Sequence, residues 1–101
     1  MTAITEDLTV LVDLASDLMN QDPEALRQSL ISALVTRQPI ALQAAEVSRA
    51  GTATLQLLLA FLREAHEQGV RVELREPSPA LKDAIRTLGL ERDPLMAAVL
   101  S

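Results

Sequence analysis

The chain has 101 residues, of which 49% are hydrophobic but only Phe61 is aromatic, so we expect one small domain with an aliphatic core. A formal net charge of -5 and the lack of Trp and Tyr argue against a nucleic-acid partner. With no cysteine and a single histidine, His66, the sequence offers no disulfide, no thiol nucleophile and no clustered metal site, and we predict neither a metal nor a cofactor.

Membrane insertion and export are not expected. The longest apolar run, residues 57–62, is far shorter than the roughly 20 residues that cross a bilayer. The N-terminus lacks a basic region followed by an apolar one, so we predict a cytoplasmic protein.

The first half of the chain predicts two strands and a helix. "DLTVLV", Asp7 to Val12, is a β-prone run. Asp22-Pro23 starts a helix that should reach about Thr36, because Asp22 can cap it and Pro23 suits its first position. "PIALQAA", Pro39 to Ala45, is short, apolar and bounded by a charged corner, as a buried strand would be.

The second half predicts a long helix, a strand and two shorter helices. The long helix follows Ala50-Gly51-Thr52 and ends at Gly69, with an apolar stripe formed by Leu55, Leu58, Leu59, Leu62 and Ala65. "VRVEL", residues 70–74, alternates with period 2. Ser78-Pro79 begins a helix that closes at Gly89, and Asp93-Pro94 opens a short C-terminal helix. This order predicts an α/β fold with a mostly parallel sheet of about four strands.

Catalysis finds little support in the residue pattern. The acidic residues lie on exposed helix faces or at caps, and the three glycines are too scattered for a phosphate-binding loop. His66 lies in the last turn of the long helix, where the negative end of the helix dipole stabilises a cation. We therefore predict a non-enzymatic protein.

Thr52 raises the main functional question. Its hydroxyl, or a neighbouring one such as Ser48 or Thr54, could simply cap the long helix. The same place also suits a phosphoryl group, which would meet unpaired N–H groups and a favourable dipole while changing the surface charge that a partner meets. The two interpretations are compatible.

The long helix is apolar over more than one face. Leu57 and Phe61 lie about 140–160° from the centre of the stripe. Broad burial against a sheet explains this excess, but so does a partner groove or a homodimer interface.

The segment "VSRAGTATLQLLLAFLREAHEQGVRVELREPSPALKDAIRTLGL" resembles the STAS domain family, named for sulfate transporters and anti-sigma factor antagonists. That family places a strand before a corner usually written Asp-Ser/Thr-x-Gly, then a Leu-rich helix, a strand and a further helix. Gly51 stands where the family usually has Asp, Thr52 at its phosphorylatable Ser/Thr, and Thr54 at its usual Gly. The resemblance implies one STAS-like domain over residues 1–101.

The resemblance also implies how the chain works. It is similar to stand-alone bacterial signalling proteins, anti-anti-sigma-like or associated with chemotaxis kinases, which bind a kinase, an anti-sigma factor or a phosphatase. Binding is then expected at Arg49, Gly51, Thr52, Thr54 and Gln56, with Thr52 as phosphoacceptor. The alternative is similarity to the small STAS subunit that binds the ATPase of a phospholipid ABC transporter, whose corner also carries Thr after "VSR".

Overall fold

The computed structural model describes residues 9–100, which alternate between strands and helices. The elements are β1 (Val10–Asp13), α1 (Pro23–Val35), β2 (Ile40–Gln43), α2 (Thr52–Glu67), β3 (Val72–Arg75), α3 (Pro79–Thr87), a 3-10 turn (Leu90–Arg92) and α4 (Pro94–Leu100).

The strands form a parallel sheet in the order β1-β2-β3. Val10 lies opposite Ile40, and Ile40 opposite Val72. The predicted α/β architecture is confirmed, although residues 9–100 contain three strands where about four were predicted. Asp7 and Leu8 of the predicted first strand lie outside the described residues.

Both crossovers move in the same direction across the sheet, so right-handed connections place α1 and α2 on one face, parallel to each other. Burial agrees with this arrangement. Ile40 and Leu42 on β2 point to the helices and are buried, whereas Glu73 and Arg75 on β3 point the other way and are exposed. The period-2 alternation predicted for β3 is thus confirmed.

The predicted helix signals are also confirmed. The Asp22 carboxylate accepts a hydrogen bond from the Glu24 amide, and the Ser78 hydroxyl accepts one from the Leu81 amide. At the end of α2, Gly69 adopts a φ of 73° and the Val70 amide donates to the Ala65 carbonyl. Because the Val70 amide is bonded to the helix, Val70 does not belong to the strand, and β3 begins at Val72 rather than at Val70 as predicted.

Candidate functional site

The corner before α2 is held by a second loop, residues 16–20, that runs beside it. The Leu18 amide donates to the Arg49 carbonyl at 2.8 Å, and the Ser48 amide donates to the Ser16 carbonyl at 2.7 Å. The Ser48 hydroxyl donates to the same Ser16 carbonyl at 3.0 Å. The corner is therefore formed by two loops, whereas the sequence predicted only the loop directly before the long helix.

Thr52 is the first residue of α2 and is exposed. The N-cap is Gly51, in an extended conformation with φ of -97°, and no side chain caps the helix. The interpretation of Thr52 as a capping residue is therefore wrong, because its side chain lies one position too late in the helix. Its hydroxyl instead faces solvent beside the uncapped start of α2.

Thr54 is only 2% exposed, so its assignment to the partner-binding surface is wrong. Its hydroxyl shares its proton between the Leu18 and Gly51 carbonyls, each at 3.0 Å. Thr54 thereby joins the loop after β1 to the first turn of α2. It positions the corner from inside the protein.

Arg49 supplies the positive charge of the corner. Its guanidinium lies 3.8 Å from the Asp17 carboxylate and donates to the Met19 sulfur at 3.1 Å. A hydrogen bond from the Asn20 side chain, helped by the Arg49 charge, lowers the pKa of Asp17. Asp17 therefore stays ionised at neutral pH and leaves the guanidinium partly neutralised.

Met19 adds an apolar element that sequence reasoning missed. Its side chain is 50% exposed and its Cα would lie 3.4 Å from a Cβ placed on Gly51. Gln56 is exposed one turn after Thr52, on the same side of α2. The site therefore consists of the exposed Arg49, Thr52 and Gln56 and the half-buried Gly51, bordered by Met19, and we call it the corner surface.

Leu57 and Phe61 turn towards α1 rather than outwards. Phe61 is 7% exposed, so broad burial explains its position on the helix, and its assignment to a protein interface stays a prediction. Leu57 is half-buried. Both line a groove between α1 and α2.

The other candidate features are separate from the corner surface. His66 is exposed at the far end of α2. Within residues 9–100 no group of three or more His, Cys, Asp or Glu side chains is placed to hold a metal ion. None of the helices in this range is long and apolar enough to cross a membrane.

Comparison with known families identifies the domain. A family model described as "Mlab, STAS domain" matches residues 2–100. No curated protein and no solved structure matches the chain. Because the match covers nearly the whole sequence and the α/β fold agrees with it, the chain belongs to the STAS domain family, whose members typically act in protein interactions and are generally non-catalytic.

Proposed function

We propose that this protein is a non-catalytic binding module of bacterial signal transduction that docks a kinase, an anti-sigma factor or a phosphatase through the corner surface. The observation that carries the proposal is the exposed Thr52 hydroxyl at the uncapped start of α2. Hydrogen bonds from Ser48 and Thr54 hold this start rigid, so a partner meets a preformed surface.

Phosphorylation of Thr52 would switch this surface. A phosphate adds nearly two negative charges next to a helix N-terminus that has no side-chain acceptor, where the helix dipole favours them. It would also attract the Arg49 guanidinium away from Asp17 and Met19. A partner that recognises the neutral corner would then meet both a new charge and a rearranged arginine.

A second candidate partner is the ATPase of a phospholipid ABC transporter. Two observations favour it: Gly51 stands where signalling relatives usually carry Asp, and the matching family is described as "Mlab, STAS domain". In that case the corner surface would be a constitutive dock. The Thr52 hydroxyl would contact the ATPase directly and remain unmodified.

An affinity pull-down from the native cell separates the two candidates. The baits are wild type, Thr52→Asp and Ser32→Asp, and the last is the matched control because Ser32 is an exposed hydroxyl on α1 that gains the same charge away from the corner. We expect a kinase, anti-sigma factor or phosphatase with wild type and Ser32→Asp but not with Thr52→Asp. Mass spectrometry of the recovered chain then tests Thr52 for phosphate.

Titration with the purified partner provides the quantitative test. We expect Thr52→Asp to raise Kd by about tenfold or more, since it places an unpaired charge in the interface, whereas Ser32→Asp leaves Kd unchanged. Equal Kd values for wild type and Thr52→Asp would reject charge control. Recovery of an ABC ATPase with all three baits would favour the second candidate.

A further inference from the structure

Met19 is a large apolar side chain at the border of the corner surface. It is 50% exposed, and its Cγ would lie 3.6 Å from a Cβ placed on Gly51. Among residues 9–100, the other exposed side chains of this kind lie on other elements: Leu11 on β1, Ile31 and Val35 on α1, and Leu88 at the end of α3. A single exposed apolar side chain is ordinary, so its position and the contacts that hold it there decide what it can do.

The residue before Met19 prevents it from turning inwards. Leu18 is fully buried, and its amide donates to the Arg49 carbonyl at 2.8 Å. The Leu18 carbonyl accepts a hydrogen bond from the Thr54 hydroxyl at 3.0 Å. The backbone at Leu18 is thus bonded both to the loop before α2 and to the first turn of α2. Met19 could reach the core only if these bonds broke.

The Asp17 carboxylate orders the same loop from the other side. One of its oxygens accepts hydrogen bonds from the Met19 and Asn20 amides, each at 3.1 Å. The other oxygen accepts a hydrogen bond from the Asn20 side chain at 2.9 Å. The backbone of Met19 is therefore already fixed in the free protein, and a partner that covers this residue loses little backbone entropy on binding.

Polar groups surround the Met19 side chain. The Arg49 guanidinium donates to its sulfur at 3.1 Å, and Thr52 and Gln56 are exposed on the first turns of α2. A thioether is a weak acceptor, whereas a guanidinium carries five N–H donors. The Asp17 carboxylate lies 3.8 Å from this guanidinium, which is beyond hydrogen-bond distance. Donors of Arg49 therefore remain available to an acceptor on a partner.

An apolar side chain within a polar rim is the arrangement found at the energetic centre of many protein interfaces. Burial removes the apolar group from water, while the rim excludes solvent and sets the orientation. We infer that Met19 is the apolar anchor of the corner surface and inserts into an aliphatic pocket of the docked protein, with a carboxylate at the rim of that pocket pairing with Arg49. The unbranched, flexible side chain of methionine suits a pocket of irregular shape.

This inference rests on the proposed function, because it requires that a protein docks at the corner surface. It adds that the apolar contact comes from the loop after β1, whereas Thr52 on α2 controls the charge. Since Met19 and Thr52 belong to different segments of the chain, their effects on binding can be measured separately.

Titration of Met19 variants tests the anchor. The probe is the protein that wild type recovers in the native-cell pull-down, after purification. We expect Met19→Gln, which keeps the length of the side chain but makes it polar, to raise Kd about tenfold. Met19→Leu stays apolar, so its Kd should remain within about twofold of the wild-type value. Leu88→Gln is the matched control, because it makes the same apolar-to-polar change at a 40% exposed side chain on another element. Circular dichroism confirms that the variants fold.

Arg49→Gln tests the charged rim. Loss of the guanidinium leaves the carboxylate of the partner unpaired, so we expect Kd to rise about fivefold or more. Added salt should weaken the binding of this variant less than that of wild type, because one ion pair fewer is screened. Arg92→Gln is the control, since Arg92 is an exposed arginine in the 3-10 turn. A Kd and a salt dependence equal to those of wild type would overturn the pairing of Arg49 with a carboxylate.

Oxidation by hydrogen peroxide tests the burial of Met19 without any substitution. Peroxide converts an accessible methionine to its sulfoxide, and peptide mass mapping follows each methionine separately. We expect Met19 to oxidise about ten times more slowly in the complex than in the free chain. Met96 is the internal control, because it is 2% exposed and its slow oxidation should not change on binding.

Three results would overturn the anchor: Met19→Gln binding as tightly as wild type, equal losses for Met19→Gln and Met19→Leu, or an unchanged oxidation rate of Met19 in the complex. Thr52→Asp in the same titration separates this inference from the proposed function. If Thr52→Asp raises Kd and Met19→Gln does not, only the anchor is wrong. If neither variant changes Kd, or if wild type recovers no protein, the docking at the corner surface is wrong as well.

Discussion

Thr52 and Thr54 show how differently two hydroxyls can act when they are two residues apart on one helix. Thr52 is exposed, whereas the Thr54 hydroxyl is buried and bonded to two carbonyls. A rotation of about 200° between them turns one towards solvent and the other towards the loop after β1. The resemblance to the family did not separate these roles, because it concerns sequence positions and not exposure.

We predict that Thr54→Val lowers the free energy of unfolding by about 1–3 kcal/mol, because it removes a buried donor and leaves the Leu18 carbonyl without that bond. Urea denaturation measures the change. Thr54→Ser is the control, since it keeps the hydroxyl and removes only a methyl group. If the two variants lose the same stability, packing and not hydrogen bonding explains the role of Thr54.

At the scale of the element, α2 begins without the side-chain cap that α1 and α3 possess. Asp22 and Ser78 accept hydrogen bonds from amides in the first turns of α1 and α3, whereas Gly51 makes no such bond. Glycine costs a helix start only a few tenths of a kcal/mol relative to a capping side chain. The uncapped start of α2 consequently costs little stability, and it leaves amides available to a phosphate or a partner.

We predict that Gly51→Asp is more stable than Gly51→Ala by about 1 kcal/mol, because aspartate caps a helix and alanine does not. Both variants add the same Cβ, which would lie 3.4 Å from Met19 Cα, an ordinary van der Waals contact. The comparison therefore isolates the cap. Thermal or urea unfolding measures it, and indistinguishable midpoints would show that the start of α2 is already satisfied in another way.

At the scale of the whole molecule, one ion pair ties the long helix to the C-terminal segment. Arg63 on α2 donates to the Asp93 carboxylate at 2.8 Å, and Asp93 also accepts a bond from the Leu95 amide at the start of α4. The hydrogen bond from Arg63 is the main cause that lowers the pKa of Asp93 below its ordinary value of 3.8. The ionised carboxylate thus stabilises the docking of α4.

This lowered pKa predicts how acid affects stability. A carboxylate whose pKa is lower in the folded state stabilises the fold above its ordinary pKa, and this stabilisation is lost as the pH falls through the folded value. We expect wild type to be more stable than Arg63→Gln at neutral pH and the difference to shrink below about pH 4. Urea midpoints measured over that range test this. A difference that does not change with pH would mean that Arg63 acts through packing alone.

The amino-acid sequence by itself determined the order of the elements, the caps at Asp22 and Ser78, and the STAS family. These features depend on periodicity and on contacts within a few residues, which neighbouring side chains encode. Only the tertiary structure decided that Thr54 and Phe61 are buried, that Thr52 is exposed, and that residues 16–20 complete the corner. The reason is distance along the chain: Thr54 bonds a carbonyl 36 residues away, so folding alone determines which hydroxyl reaches the surface.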